Sequence, residues 1–134
     1  MRQYFYKVSI AVVALLFCVS SAFAEAKHTP YSEKVLADLE SSGKGYLLDY
    51  YASWCITCRT QDKIIAQFQN QDPKFLDVTI VRVDWDDPAS KKVIAANRIP
   101  RRSTLVVFKG KKELGRLVAG TYKTEIEKLL ELGL

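Results

Sequence analysis

The sequence predicts an α/β domain, and three observations carry that reading. Tyr46 to Ala52 is a strand-forming run that is apolar on both faces except for Asp49, the pattern of a strand buried on both sides. Segments with helical spacing alternate with such runs along the chain. The last third holds two strand-like runs around a glycine-containing turn and then an amphipathic helix.

Taken in order, Ser32 caps a first helix in which Val35, Leu36 and Leu39 recur at helical spacing, and Ser41, Ser42 and Gly43 stop it. The strand Tyr46 to Ala52 follows. Ile64, Ile65 and Phe68 give the next helix its inward stripe, and Asn70 to Pro73 breaks it. Val78 to Val83 reads as a second strand, followed by the turn-like Asp84 to Pro88 and a helix through about Ala96. Thr104 to Phe108 and Leu114 to Ala119 form a hairpin across Lys109 to Lys112, whose lysines discourage edge pairing. Ile126, Leu129 and Leu130 mark a closing helix, with Thr124 and Glu127 spaced as a capping box. The expected order is therefore α, β, α, β, α, β, β, α.

Residues 1–24 read as a leader rather than as fold. Arg2 and Lys7 precede an apolar run from Val8 to Val19, and Ala22, Phe23 and Ala24 give a small-x-small cleavage pattern before Glu25. The run is short of the ~20 residues a spanning helix needs. Cleavage would remove Cys18 and leave 110 residues, enough for one domain at 25–134. It would also remove two cations, leaving 18 basic against 15 acidic side chains, a net charge of +3 that points to no nucleic-acid or other polyanionic partner. The implied location is periplasmic or secreted.

Cys55 and Cys58 carry the chemistry. They stand two residues apart at the corner between a strand and a helix, where the first helical turn presents both sulfurs to each other. Unpaired N–H groups and the helix dipole stabilise a thiolate on the first cysteine, and the thiolate is the attacking species. Cys55 is therefore the candidate nucleophile, on an exposed sulfur. Cys58, one turn further in, can attack a mixed disulfide on Cys55 and release the partner. A zinc site would need about four ligands, and the chain after the leader has no third cysteine and only His28, in a start expected to be flexible. No bound cofactor or metal is expected, because the Cys55–Cys58 disulfide itself carries the electrons.

The segments YLLDYYASWCITCR, VRVDWDD and STLVVFKGKKELGRLVAG together resemble the thioredoxin superfamily over about residues 31 to 132. The resemblance implies a thioredoxin-like fold, a central mixed β-sheet flanked by α-helices, with a thiol-disulfide oxidoreductase activity toward protein substrates. It places Asp49 as a buried carboxylate beneath Cys58, able to take that thiol's proton as it attacks, and Arg82 as the basic partner of that carboxylate. Trp54 resembles the aromatic residue beside the nucleophile. Residues before Ser32 show no clear sign of the extra first strand that many members have.

Departures from the family pattern are informative. Members place a cis-proline just before the strand that here begins at Thr104, and Ser103 occupies that position. Its peptide bond with Arg102 should be trans, since a non-proline cis bond costs about 2.5–4 kcal/mol. The Ser103 hydroxyl would then stand near Cys55 and, with Arg101 and Arg102 making the rim cationic, would favour its thiolate. Between the cysteines, Ile56 and Thr57 are neither the Gly-Pro of common reductants nor the histidine-containing pair of oxidants, so they leave the direction of electron flow open. Trp54, Ile56, Arg102 and Ser103 are the candidate substrate-docking residues, with Arg82 and Thr57 in support. The stretch DYYASWCITCR also resembles the periplasmic terminal domain of transmembrane electron-conducting reductases, which points to a reducing or reshuffling role fed by a membrane-bound thiol donor. The alternative is a metal-handling module, in which the same two thiolates hold Cu(I) or a shared [2Fe-2S] cluster.

Overall fold

The structure, a computed structural model, describes residues 24–134; the leader pattern up to Phe23, with Cys18, lies outside them. Gly45–Tyr51 forms strand β2, and its first six residues are buried, as the two-sided apolar run requires. On one side it pairs in parallel with β3 (Thr79–Asp84), on the other antiparallel with β4 (Thr104–Lys109), which pairs antiparallel with β5 (Lys112–Val118). A two-residue strand β1, Thr29–Pro30, pairs in parallel with β3. The sheet is thus mixed, in the order β1-β3-β2-β4-β5.

Strand β1 supplies the edge for which the sequence carried no clear signal. It is held less by its own residues than by what surrounds it: Lys27 and Gln69 exchange two hydrogen bonds (2.8 and 3.2 Å), and Ala26 is buried. His28 is accordingly not in a loose segment, since its Nδ1 donates to the Ala26 carbonyl (2.9 Å).

Among the described residues four α-helices flank the sheet: α1 (Glu33–Ser42), α2 (Ile56–Gln71), α3 (Lys91–Ala96) and α4 (Lys123–Glu131). Ser32 caps α1 through its hydroxyl, which accepts from the Val35 N–H (3.1 Å). The capping box expected at Thr124 does not form, because the helix already starts at Lys123 with Tyr122 at its cap, placing Thr124 inside the first turn.

Side chains alternate between the two faces of a strand, and this decides what lies beneath each helix. Leu47, Ile80, Leu105 and Val107 pack with Ile64 and Ile65 of α2 and Ile126, Leu129 and Leu130 of α4. Tyr46, Leu48, Tyr50, Val81 and Val83 pack on the opposite face with Val93 and with Val35, Leu36 and Leu39 of α1. Asp49 shares the strand face of Leu47, and its register partner on β3 is Arg82, so both charged residues point toward the α2 side.

Gly45 marks where the chain end closes over the start of β2. A Cβ there would overlap the backbone carbonyl of Gly133, which cannot rotate away as a side chain could. Gly45→Ala is expected to lower stability by about 2–3 kcal/mol, the upper range for overpacking a buried site. Urea unfolding measures this; an unchanged midpoint would mean that the C-terminal turn is not held there.

Candidate active site

Strand β2 ends at Tyr51, and the buried Ala52 starts a tight turn in which the Cys55 N–H donates to the Ala52 carbonyl (3.0 Å). Cys55 is the N-cap of α2, with extended backbone, and its sulfur accepts from the Cys58 N–H (3.2 Å). That is the arrangement in which orphan donors and the helix dipole stabilise a negative sulfur. Cys55 and Cys58 are joined in a disulfide, with Cα atoms 5.3 Å apart. Thr57 is half-buried between them.

Cys55 is not the exposed sulfur that the sequence suggested. Only 4% of the residue is accessible, and Cys58 is fully enclosed. Ala52 and the partly buried Tyr51 and Trp85 pack around the pair, and the loop before β4 lies against it. What is exposed is the rim: Trp54 and Ile56 are 54% and 73% accessible. Trp54 is pinned rather than free, its indole N–H donating to Asp86 (2.6 Å) and its ring carrying the Arg102 guanidinium at 4.3 Å. Arg102 is thus engaged with the tryptophan, and Arg101 is exposed beside it.

Ser103 directly precedes β4. Its hydroxyl lies 3.1 Å from the Cys55 sulfur and 3.2 Å from that of Cys58, and with both sulfurs in a disulfide the hydroxyl is the only donor among the three. The Arg102–Ser103 peptide bond is trans, as expected; no cis bond occurs among the described residues. Ser103 adopts a left-handed backbone with φ of 63°. Its N–H donates to the Tyr50 carbonyl (2.8 Å), and its own carbonyl accepts from Ala119 N–H (2.8 Å) and Gln61 Nε2 (3.1 Å).

Asp49 is 1% exposed, and its Oδ1 has no hydrogen-bond partner. Burial raises its pKa to about 7, against the opposing pull of Arg82 and with a further push from the Asp62 charge. Arg82 pairs with Asp49, as the resemblance implied, and shares its charge with two further carboxylates. Its Nε stands 3.6 Å from Asp49 Oδ2, within ion-pair range but making no hydrogen bond. The two terminal nitrogens instead bond Asp62 and Glu25, and the guanidinium lies 4.0 Å over the Tyr51 ring. One cation thus faces three carboxylates, and the most buried of them is the one left without a bond.

Asp62, Glu25 and Gln61 are the site residues that sequence reasoning missed. A signal for two of them existed: on a helix, residues three and four beyond Cys58 share its inward face. Asp62 and Gln61 are indeed both buried.

Comparison with known proteins agrees with this geometry. The thioredoxin family model matches residues 23–132, and the chain belongs to the thioredoxin family. The chain is 32% identical over 95 residues to the thioredoxin of Mycoplasma genitalium, covering 71% of this chain and 88% of that protein. It is 28% identical over 87 residues to the thiol:disulfide interchange protein DsbD of a Pseudomonas species (strain JR1 / K1), covering 63% of this chain but spanning only 15% of the length of that relative. Among solved structures it resembles Trxlp from Edwardsiella tarda, with a TM-score of 0.67, 26% identity, and coverage of 75% of this chain and 95% of that one. The protein is a thioredoxin-like thiol-disulfide oxidoreductase with a CxxC pair, Cys55 and Cys58, joined in a disulfide.

Proposed function

We propose that the protein is an exported reductant or reshuffler of disulfides in protein substrates, restored by a membrane-bound thiol donor and needing no bound cofactor. The observation that carries the chemistry is Cys55 at the cap of α2, its sulfur facing the helix N–H groups and bonded to Cys58. Export is supported by the leader pattern of residues 1–24. The reducing direction is supported by the resemblance of DYYASWCITCR to the periplasmic terminal domain of transmembrane electron-conducting reductases, and disulfide exchange by the similarity to thiol:disulfide interchange proteins of Pseudomonas.

In the first step the Cys55 thiolate attacks one sulfur of a substrate disulfide. A mixed disulfide forms and the other substrate sulfur leaves as a thiolate. In the second step Cys58 loses its proton to Asp49, attacks the Cys55 sulfur and releases the second substrate thiolate, which is protonated. Two electrons have passed to the substrate, and the Cys55–Cys58 disulfide remains for the donor dithiol to reduce. Asp49 suits its part, because a base that must gain and give up a proton at neutral pH works best with a pKa near 7. Ser103 takes the place of the family's cis-proline, and Trp54, Ile56 and Arg102 form the rim on which a client docks.

Equilibration with glutathione tests the direction. A reduction potential near −270 mV, about that of dedicated reductants, is the expected result, and one near −120 mV, about that of a strong oxidant, would overturn it.

A further inference from the structure

Within the exchange chemistry proposed above, one hydroxyl stands between two sulfurs. Ser103 Oγ has a single hydrogen, and the two sulfurs lie at nearly equal distances from it, 3.1 and 3.2 Å. During exchange the negative charge moves. It sits on Cys55 before the first attack and on Cys58 before the second, when Cys55 is capped by the substrate. A hydroxyl in this position reaches either sulfur by rotating about one bond.

The position has to be enforced. A left-handed backbone at a residue with a Cβ is unfavourable, and such residues persist only where their surroundings over-determine them. Two of the three bonds on the Ser103 backbone run to other backbone groups, of Tyr50 and Ala119, and any residue but proline at 103 would make both. The third comes from a side chain, that of Gln61.

Gln61 is fully buried on α2, three residues beyond Cys58. Its Nε2 donates to the carbonyls of both Ser103 (3.1 Å) and Gly120 (2.9 Å). Two carbonyls demand two donors, so the orientation of the amide is set by chemistry. Its Oε1 is left buried without a partner, a cost that an apolar residue would not incur. α2 meets the core with Ile64 and Ile65, and of its buried polar side chains, Gln61, Asp62 and Gln69, it is Gln61 that keeps an oxygen without a partner. The amide is therefore poorly explained by stability. It binds the loop before β4 and the loop after β5, where Ala119 is also left-handed (φ 55°), to the helix that carries both cysteines.

We propose that Gln61 is a positioning residue that fastens the Ser103 loop to the cysteine helix, so that the Ser103 hydroxyl serves the Cys55 and Cys58 thiolates in turn. Neither its removal nor that of the hydroxyl alters the charged side chains on the packed elements: Asp49 of β2, Arg82 of β3, Asp62 of α2 and Arg102 beside Trp54.

The test is the pH profile of alkylation of reduced Cys55 by iodoacetamide, with the rate at which Cys58 resolves a preformed mixed disulfide with glutathione. Ser103→Gly removes the hydroxyl while suiting the positive φ. It should raise the Cys55 midpoint by about one pH unit, the scale of a hydrogen bond to a charged group, and slow resolution. Gln61→Leu, with Gln61→Met as a second variant should the first fold poorly, should shift both readouts in the same direction by a smaller amount. The double variant should shift no further than Ser103→Gly, because Gln61 acts through Ser103. Unchanged profiles in both Gln61 variants, an additive double variant, or no shift in Ser103→Gly would overturn the proposal. A wild-type protein whose Cys55 neither alkylates nor exchanges at any pH would instead refute the exchange reading on which it rests.

Discussion

Cys58→Ser protein, mixed with a disulfide-bearing client such as insulin, should stop after the first step and accumulate as a covalent adduct through Cys55. The cause is geometric. Cys58 lies one turn into α2 with its Cα 5.3 Å from that of Cys55, so its attack on a mixed disulfide is intramolecular. Well-oriented intramolecular groups act at effective concentrations far above any external thiol, and the adduct should outlive the wild-type intermediate by at least about 10³-fold. Cys55→Ser should form no adduct and reduce no client, because the enclosed Cys58 has no accessible edge of its own. Non-reducing electrophoresis with mass spectrometry separates the two variants. Adducts on Cys58 in the Cys55→Ser protein would reverse the assigned roles.

Asp49→Asn should be more stable than wild type above neutral pH and nearly equal to it in acid. The buried carboxyl titrates at about 7 in the folded protein, against 3.8 as its ordinary value. Between those limits the folded state holds a proton that the unfolded chain has lost. Stability therefore falls as pH rises through this window and is level above it. Removing the carboxyl should thus stabilise the protein at pH 8 by on the order of 4 kcal/mol, with little effect at pH 4. Arg82 keeps Asp62 and Glu25 as partners, so no uncompensated cation is left behind. Activity should move the other way. Without the carboxylate, Cys58 loses its proton acceptor, and resolution at pH 7 should slow by about 10²-fold. Urea unfolding from pH 4 to 8 and stopped-flow reduction of a client measure the two effects. A variant that is no more stable at pH 8 would show that Asp49 does not titrate in that range.

The two experiments probe parts of the site that differ in how they could be read. The cysteine pair was legible because everything that defines it is local: a strand, a turn, a helix start and a spacing of three. The trans bond at Ser103 followed from the absence of a proline, and the Ser32 cap from its place before Val35. Strand β1 was not legible, since two residues carry no periodicity, and Thr29–Pro30 pairs only because β3 offers it an edge. The enclosure of Cys55 was missed for a related reason. Part of its cover comes from Trp85 and from the loop before β4, and the Ser103 contact spans 48 positions.

Arg82 shows the limit most clearly. The resemblance paired it with Asp49, and it stands within ion-pair range of that carboxylate, but its terminal nitrogens bond Asp62 and Glu25, which arrive from α2 and from the segment before β1. Which of several carboxylates a cation prefers depends on small differences in distance and desolvation, and these exist only once the elements have packed.

The amino-acid sequence by itself determined the order of helices and strands from α1 onward and the dithiol at the start of α2, because hydrophobic period, capping and turn chemistry act between near neighbours. Only the tertiary structure decided that a serine would stand between the two sulfurs, that Gln61 would hold it there, and that Asp49 would be left without a hydrogen bond on Oδ1. Those are matters of distance between segments far apart in the chain, and no pattern along the chain encodes them.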